Sequence, residues 1–412
     1  MVFSCTSLQR DLGRERSEVV GLRRFLGVFL ILNCFALRSE QVEAQQNAQP
    51  KREDEVQAKL QTEFAALATN DTPGFAVLLK QDRKVVFEQG FGVRDLRGKA
   101  KIDARTNFRL ASCTKQFTAM AVMLLVHDGK LRYDETLTQV FPGFPEYGKS
   151  TTVRNLLNHT SGLPDYEDLM DAVEKRKGPI WSPERQISDN EVFELLERES
   201  YGKFVPGSKW EYSNSGYVLL GLIVAKRSGK SFGDFLQRRI FAPLKMERTL
   251  VLEKGRNQVS ARAYGHSKQK GVFFETDQSS TSATQGDGGV YSNLEDLSKW
   301  DDALRNHTLL GGDEFAAAVM PTELPPGAEQ KLAEDAPDSL RPKAASYGFG
   351  WFLDLKNPRP MMWHYGDTMG FKTAILRYFD SNVTVIVLCN RTDLDAGALA
   401  LKALAGHDLE SH

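Results

Sequence analysis

Apolar residues recur at helical intervals through Phe117, Met120, Ala121, Leu124 and Leu125 until Gly129, which predicts a helix whose first turn holds residues 112–115. A second run, Tyr217, Val218, Leu219, Leu220, Leu222, Ile223 and Val224, follows the turn signal Pro206-Gly207 and places residues 212–214 at another helix start. Residues 53–67 read as an amphipathic helix. Residues 75–79 and 85–90 read as a hairpin around Gln81, Asp82 and Arg83. From 112 to about 300 the signals are mainly helical, with caps expected at Thr151 or Thr152, Ser188, Ser231 and Ser292. The chain then returns to strand-like stretches at 347–354, 371–378 and 383–388. A sheet built from both ends of the chain, with helices inserted between, is an α/β (α+β) arrangement. Residues 323–341, rich in Pro, Ala and acidic side chains, are expected to form a surface loop.

Composition narrows the class of protein. With 412 residues, 41% hydrophobic, 26% charged and a formal net charge of −1, the chain is that of a globular protein with a sizeable core. The charge balance offers no footprint for nucleic acid or an anionic membrane. At the N-terminus, Arg23 and Arg24 precede Phe25, Leu26, Val28, Phe29, Leu30, Ile31 and Leu32, and Val42-Glu43-Ala44 offers a small-residue cleavage site. Residues 1–44 are therefore expected to export the chain to a periplasm or the medium. A retained anchor is the alternative; the apolar stretch is short against the roughly 20 residues of a spanning helix. Residues 45–72 are expected to hold a linker and the first helix, and 73–405 one catalytic domain. Of the four cysteines, Cys113 and Cys389 remain after the signal, each reading as a small buried filler rather than half of a disulfide. No metal spacing appears among the seven histidines, and no cofactor is expected.

The chemistry lies in three short motifs. Ser112-Cys113-Thr114-Lys115 is an S-x-x-K, whose spacing brings a hydroxyl and an amine together on one helix face. At a helix start the dipole and burial both disfavour the ammonium, so Lys115 can be a neutral amine that takes the proton of Ser112. Tyr212-Ser213-Asn214 is a Y-x-N, and His364-Tyr365-Gly366 is an H-x-G at the beginning of a sheet edge. These lie 100 and 252 residues beyond Ser112, so only a folded core can bring them together.

The three motifs in this order resemble the serine β-lactamase and penicillin-binding-protein superfamily. The Y-x-N variant points to the branch holding class C β-lactamases, D-alanyl-D-alanine carboxypeptidases, D-amino-acid amidases and related esterases. Segments 74–92, 156–166 (LLNHTSGLPDY), 286–300 (GDGGVYSNLEDLSKW) and 347–351 (YGFGW) are similar to the family's as well. The resemblance implies a mostly antiparallel sheet flanked by helices beside an all-helical region, with the site in the cleft between. It implies Ser112 as the nucleophile forming an acyl-enzyme and Lys115 or Tyr212 as the base. It further implies Asn214 orienting Lys115 or the substrate, and an oxyanion hole made of the backbone N–H groups of Ser112 and Asp367. The partner is then a small-molecule or peptide acyl substrate.

Two departures bear on that substrate. His364 stands where β-lactamases and transpeptidases carry Lys, and Tyr365 replaces a small hydroxyl residue, so a fixed cation for a substrate carboxylate is missing; an imidazole titrating near 6.5 is expected to join the Tyr212 and Ser112 network. No residue matches the deacylating glutamate of class A enzymes, Glu191 and Glu211 reading as surface. Both favour an esterase or D,D-peptidase-like hydrolase, with a β-lactamase or a catalytically idle, polymer-binding relative as alternatives. The literal S-D-N at Ser188-Asp189-Asn190 reads as a capping box with Glu191, not as a catalytic corner. A Cys113 nucleophile is disfavoured because the next residue turns about 100° away from the Lys115 face. His159 reads as tying a loop. Asp287 reads equally as pocket lining or as turn chemistry, and Trp351 and Trp363 read as core.

Overall fold

The structure, a computed structural model, describes residues 54–331, 336–341, 346–356 and 358–407. The expected export segment lies outside them. The chain divides into two compact units, Met1–Ala58 and Lys59–His412, and the core and the site belong to the second. The first helix, α1, spans 54–65. The expected hairpin forms as β1 (Phe75–Gln81) and β2 (Lys84–Phe91), closed by Asp82 and Arg83, both at positive φ. That is the primed turn whose twist suits two adjacent strands. The C-terminal strands are β3 (Phe352–Asp354), β4 (Met361–Thr368), β5 (Phe371–Tyr378) and β6 (Val383–Cys389). They join β1 and β2 in one antiparallel sheet of order β3-β4-β5-β6-β1-β2. The two ends of the chain therefore meet at β1 and β6, where Phe75 pairs with Cys389. Both strands are buried almost throughout, as expected of strands covered on both faces, and this explains why they read as continuous apolar runs.

Between the sheet's two halves run α2 (Lys115–His127), α3 (Val153–Leu157), α4 (Asp189–Glu197), α5 (Asn214–Ser228) and α6 (Leu294–Arg305); α7 (Ala396–Gly406) closes the chain against β5 and β6. Every α2 residue from Lys115 to Leu125 is buried, so this helix is the axis of the core. Thr152, Ser188 and Ser231 cap their helices as expected, and Ser188 with Glu191 forms a capping box, which removes the S-D-N from the chemistry. At Ser292 the expectation fails. Ser292 ends a short strand and its hydroxyl meets Thr249 Oγ1 at 2.7 Å, so the cap of α6 passes to Asn293, whose Oδ1 accepts the Asp296 N–H at 3.0 Å.

The stretch 347–354 is a strand only over β3. Tyr347 folds back to bridge Phe352, which carries its ring inward. The H-x-G lies in β4, where β3 has stopped pairing at Trp363, so among the described residues it begins the open part of the sheet edge, as expected. The loop at 323–341 also contributes structure: Gln330–Lys331 pairs in parallel with the short strand Trp210–Glu211 immediately before the Y-x-N.

Candidate active site

Ser112 sits in a single tight turn, Ala111–Thr114, that runs directly into α2. Ala111 before it is held at φ +48°, a conformation that costs a non-glycine residue about 1 kcal/mol or more and here turns the serine out of the core. Ser112 stays partly exposed while Lys115 is fully buried. Lys115 Nζ lies 3.0 Å from Ser112 Oγ, 2.8 Å from Asn214 Oδ1 and 3.1 Å from the Asp287 carbonyl oxygen. The last two can only accept. A neutral amine can donate its two protons to them and keep its lone pair for the Ser112 hydroxyl, the arrangement a general base requires. Nζ also lies 4.8 Å from the centre of the Tyr212 ring.

The third contact depends on how the 286–290 segment is tied to α2. Thr118 Oγ1 donates to the Gly286 carbonyl at 2.6 Å, Thr114 Oγ1 accepts the Val290 N–H at 3.1 Å, and Arg109 holds the Gly288 carbonyl and Ser282. Gly286 must be glycine, since a Cβ there would stand 2.2 Å from the Tyr217 carbonyl. Asp287 therefore enters the site through its backbone. Its side chain turns away, Oδ2 taking the Tyr166 hydroxyl at 3.4 Å. On the opposite side, Asn214 opens α5 behind a Ser213 cap, whose Oγ accepts the Gly216 N–H at 3.1 Å.

β4 closes the third side. β3 pairs with it only from Met361 to Trp363, so among the described residues no strand covers its edge from His364 onward. Gly366 passes the turn before Ser112 so closely that a Cβ would meet the Leu110 carbonyl at 2.2 Å. His364 does not behave as the sequence suggests. It is fully buried, its Nδ1 lies 2.6 Å from the Tyr365 carbonyl, and its Nε2 lies 3.0 Å from Tyr347 Oη. A carbonyl can only accept, so Nδ1 carries the proton and Nε2 accepts from the tyrosine. Burial, with Lys115 nearby, pushes its pKa down to about 3. The expected titration near 6.5 is thus corrected: desolvation favours the uncharged ring, and Tyr347, not Tyr212 or Ser112, is its hydrogen-bond partner. Tyr365 is buried behind it, stacked on Phe352, and borders a cavity of about 270 Å³ that also touches Gly366, Asp367 and Lys372.

The depressed His364 pKa carries a pH dependence of its own. Unfolded, the ring binds a proton below about pH 6.5, while folded it does not until about pH 3, so its contribution to stability is present above 6.5 and is lost as pH falls towards 3. His159, held well below its usual range by burial, adds a second proton of the same sign. His364 alone implies a loss of about 1.4 kcal/mol per pH unit well inside that window, while Asp189, raised to about 8 by burial, acts in the opposite direction. In denaturant unfolding between about pH 6 and 4, the stability lost per pH unit should be smaller in His364→Asn than in the parent chain by about 1.4 kcal/mol. The acidic limb of kcat/KM should stay where it is in His364→Asn; a limb that moves would restore His364 to the proton network.

Ser112, Lys115, Asn214 and the Asp287 carbonyl thus meet directly, Tyr212 stands over the amine, Gly366 brings β4 alongside, and Asp367 follows, partly exposed and ion-paired through its side chain with Lys372. Cys113 points into the core, its thiol pushed up to about 12 by burial, so it is no nucleophile at neutral pH. Tyr347 escaped the sequence reading of the site because nothing local to YGFGW marks its hydroxyl as a partner of His364. The Beta-lactamase family profile matches residues 54–407. The chain belongs to the beta-lactamase family. Penicillin-binding protein 4* of Bacillus subtilis is 31% identical over 363 residues, covering 85% of this chain and 75% of that protein. The octameric penicillin-binding protein homologue of Pyrococcus abyssi superposes with a TM-score of 0.68 at 24% identity, over 84% of this chain and 76% of that one. The D-amino acid amidase of Ochrobactrum anthropi SV3 in complex with D-phenylalanine does so with a TM-score of 0.68 at 24% identity, over 88% and 100%. At those identities the two structures establish the shared fold. As a beta-lactamase family member, the chain is a mixed α/β serine hydrolase.

Proposed function

We propose that this beta-lactamase family member cleaves an ester or amide through an acyl-enzyme on Ser112, as an esterase or D,D-peptidase-like hydrolase. The observation that carries the reading is the Lys115 amine, buried with two carbonyl acceptors and 3.0 Å from the serine oxygen. Ser112 Oγ attacks the carbonyl carbon as its proton passes to Lys115. The oxyanion is held by the backbone N–H groups of Ser112 and Asp367, the leaving group departs with a proton relayed through Lys115 and Tyr212, and water then releases the acyl group by the same path in reverse. A fluorophosphonate or labelled-penicillin probe followed by intact mass tests this. One adduct per chain on Ser112 is expected; no adduct on folded protein would favour the idle, polymer-binding reading instead. The basic and apolar stretch around residues 23–32 supports export, with the reaction taking place in a periplasm or the medium.

Substrate charge follows from the H-x-G. His364 is uncharged across the working pH range, and the nearest fixed cation on this strand pair, Lys372, is already neutralised by Asp367. Short-chain neutral esters should therefore show higher kcat/KM than cephalosporins or peptides ending in D-Ala-D-Ala. Cephalosporin turnover on the order of 10⁶ M⁻¹s⁻¹ would instead make this a β-lactamase.

A further inference from the structure

His159 is a residue the proposed reaction does not use, yet it lies at the base of the site. It occupies a left-handed conformation at φ +62°, which glycine would take without strain, and it is fully buried. Its Nδ1 accepts the Ser213 N–H at 3.1 Å, so the proton of the neutral ring resides on Nε2, which is buried with no hydrogen-bond partner among the described residues. Its own carbonyl accepts the Glu211 N–H at 3.1 Å. The ring packs 4.4 Å from that of Tyr212 and 4.5 Å from that of Tyr347, the partner of His364. A strained backbone and an unpaired buried donor are both costs, and a site that keeps them needs an explanation.

From this geometry we infer that His159 is a positioning residue that fixes the Y-x-N by clamping the one backbone N–H between Tyr212 and Asn214. Ser213 is the cap of α5, and its neighbours carry the two side chains that face Lys115. One acceptor at Nδ1 therefore sets the height of the phenol and the amide together, while the carbonyl of the same residue pins Glu211 on the preceding strand. The LLNHTSG segment and the Y-x-N are more than 50 residues apart, and this pair of bonds ties His159 directly to the backbone at the Y-x-N.

The inference rests on the acyl-enzyme reading, and the test separates the two. Asn at 159 can place its amide oxygen where Nδ1 stood, whereas Gln reaches the Nε2 position instead. His159→Asn should acylate Ser112 with a fluorophosphonate within about tenfold of wild type, and His159→Gln should be slower by roughly a hundredfold, as for a misplacement near 1 Å. With an ester substrate the loss should fall on kcat and leave KM nearly unchanged, which a general loss of folded protein would not produce once active chains are counted by thermal unfolding. In a Tyr212→Phe background the Gln substitution should cost far less, because much of what His159 positions is gone. Equal rates in Asn and Gln, or the same Gln penalty with and without the Tyr212 hydroxyl, would overturn the inference while leaving Ser112 acylation intact. A wild-type chain that takes no adduct would remove the hydrolase reading, and this inference with it.

Discussion

Ser112→Ala and Lys115→Ala are each expected to reduce hydrolysis of an activated ester by roughly four orders of magnitude or more, and the double variant should be no slower than the worse of the two. The reason is that one proton is shared between them. With Nζ 3.0 Å from Oγ, removing the amine leaves a hydroxyl with no acceptor for its proton, and removing the hydroxyl leaves a base with nothing to activate. The two losses therefore describe one step counted twice. Lys115→Ala also leaves the Asn214 amide oxygen and the Asp287 carbonyl without their donor, at a cost of about 1–3 kcal/mol each in a buried setting, so its melting temperature should fall while that of Ser112→Ala should not. Steady-state rates with thermal unfolding on the three variants check this. A double variant much slower than either single one, or inactivation by Cys113→Ala, would show that the roles are misassigned.

Gly366→Ala should be the most damaging single methyl group in the site. The added carbon would lie 2.2 Å from the Leu110 carbonyl oxygen, 2.3 Å from Thr373 Oγ1 and 3.1 Å from Ala111 Cβ. Neither backbone can yield without moving the turn that carries Ser112 or the strand that carries Asp367, and those two supply the proposed oxyanion donors. Loss of one donor typically lowers kcat by about 10²–10³, and that is the expected drop here, with KM changing less. Overpacking should also destabilise the fold by about 1–3 kcal/mol. Gly143→Ala is the control: its Cβ would meet nothing nearer than a Glu197 carboxylate oxygen at 3.9 Å, so activity should be retained. Unchanged kcat in Gly366→Ala would mean that β4 does not border the reacting carbonyl.

Much of the site is local and could be read from the chain alone. The Ser112 to Lys115 spacing is a property of one helix turn, the caps at Thr152, Ser188 and Ser231 are written in three or four consecutive residues, and the doubly covered strands announce themselves as unbroken apolar runs. Three motifs in order were enough for a resemblance to the family and hence to its fold. What the sequence could not determine is where a side chain's partners come from once distant segments converge. Asp287 read equally as pocket lining or as turn chemistry, and only the fold decides: Thr114 and Thr118 tie its neighbours so that its carbonyl, not its carboxylate, faces Lys115. His364 looked like a titrating member of the proton network because an isolated imidazole is one. Only burial in the folded core, with Lys115 beside it and the Tyr347 hydroxyl on its Nε2, makes it a neutral acceptor that ordinary pH does not change. Spacing along a chain fixes contacts within a turn of helix, whereas desolvation and pairing across 100 or more residues exist only after the core has closed around them.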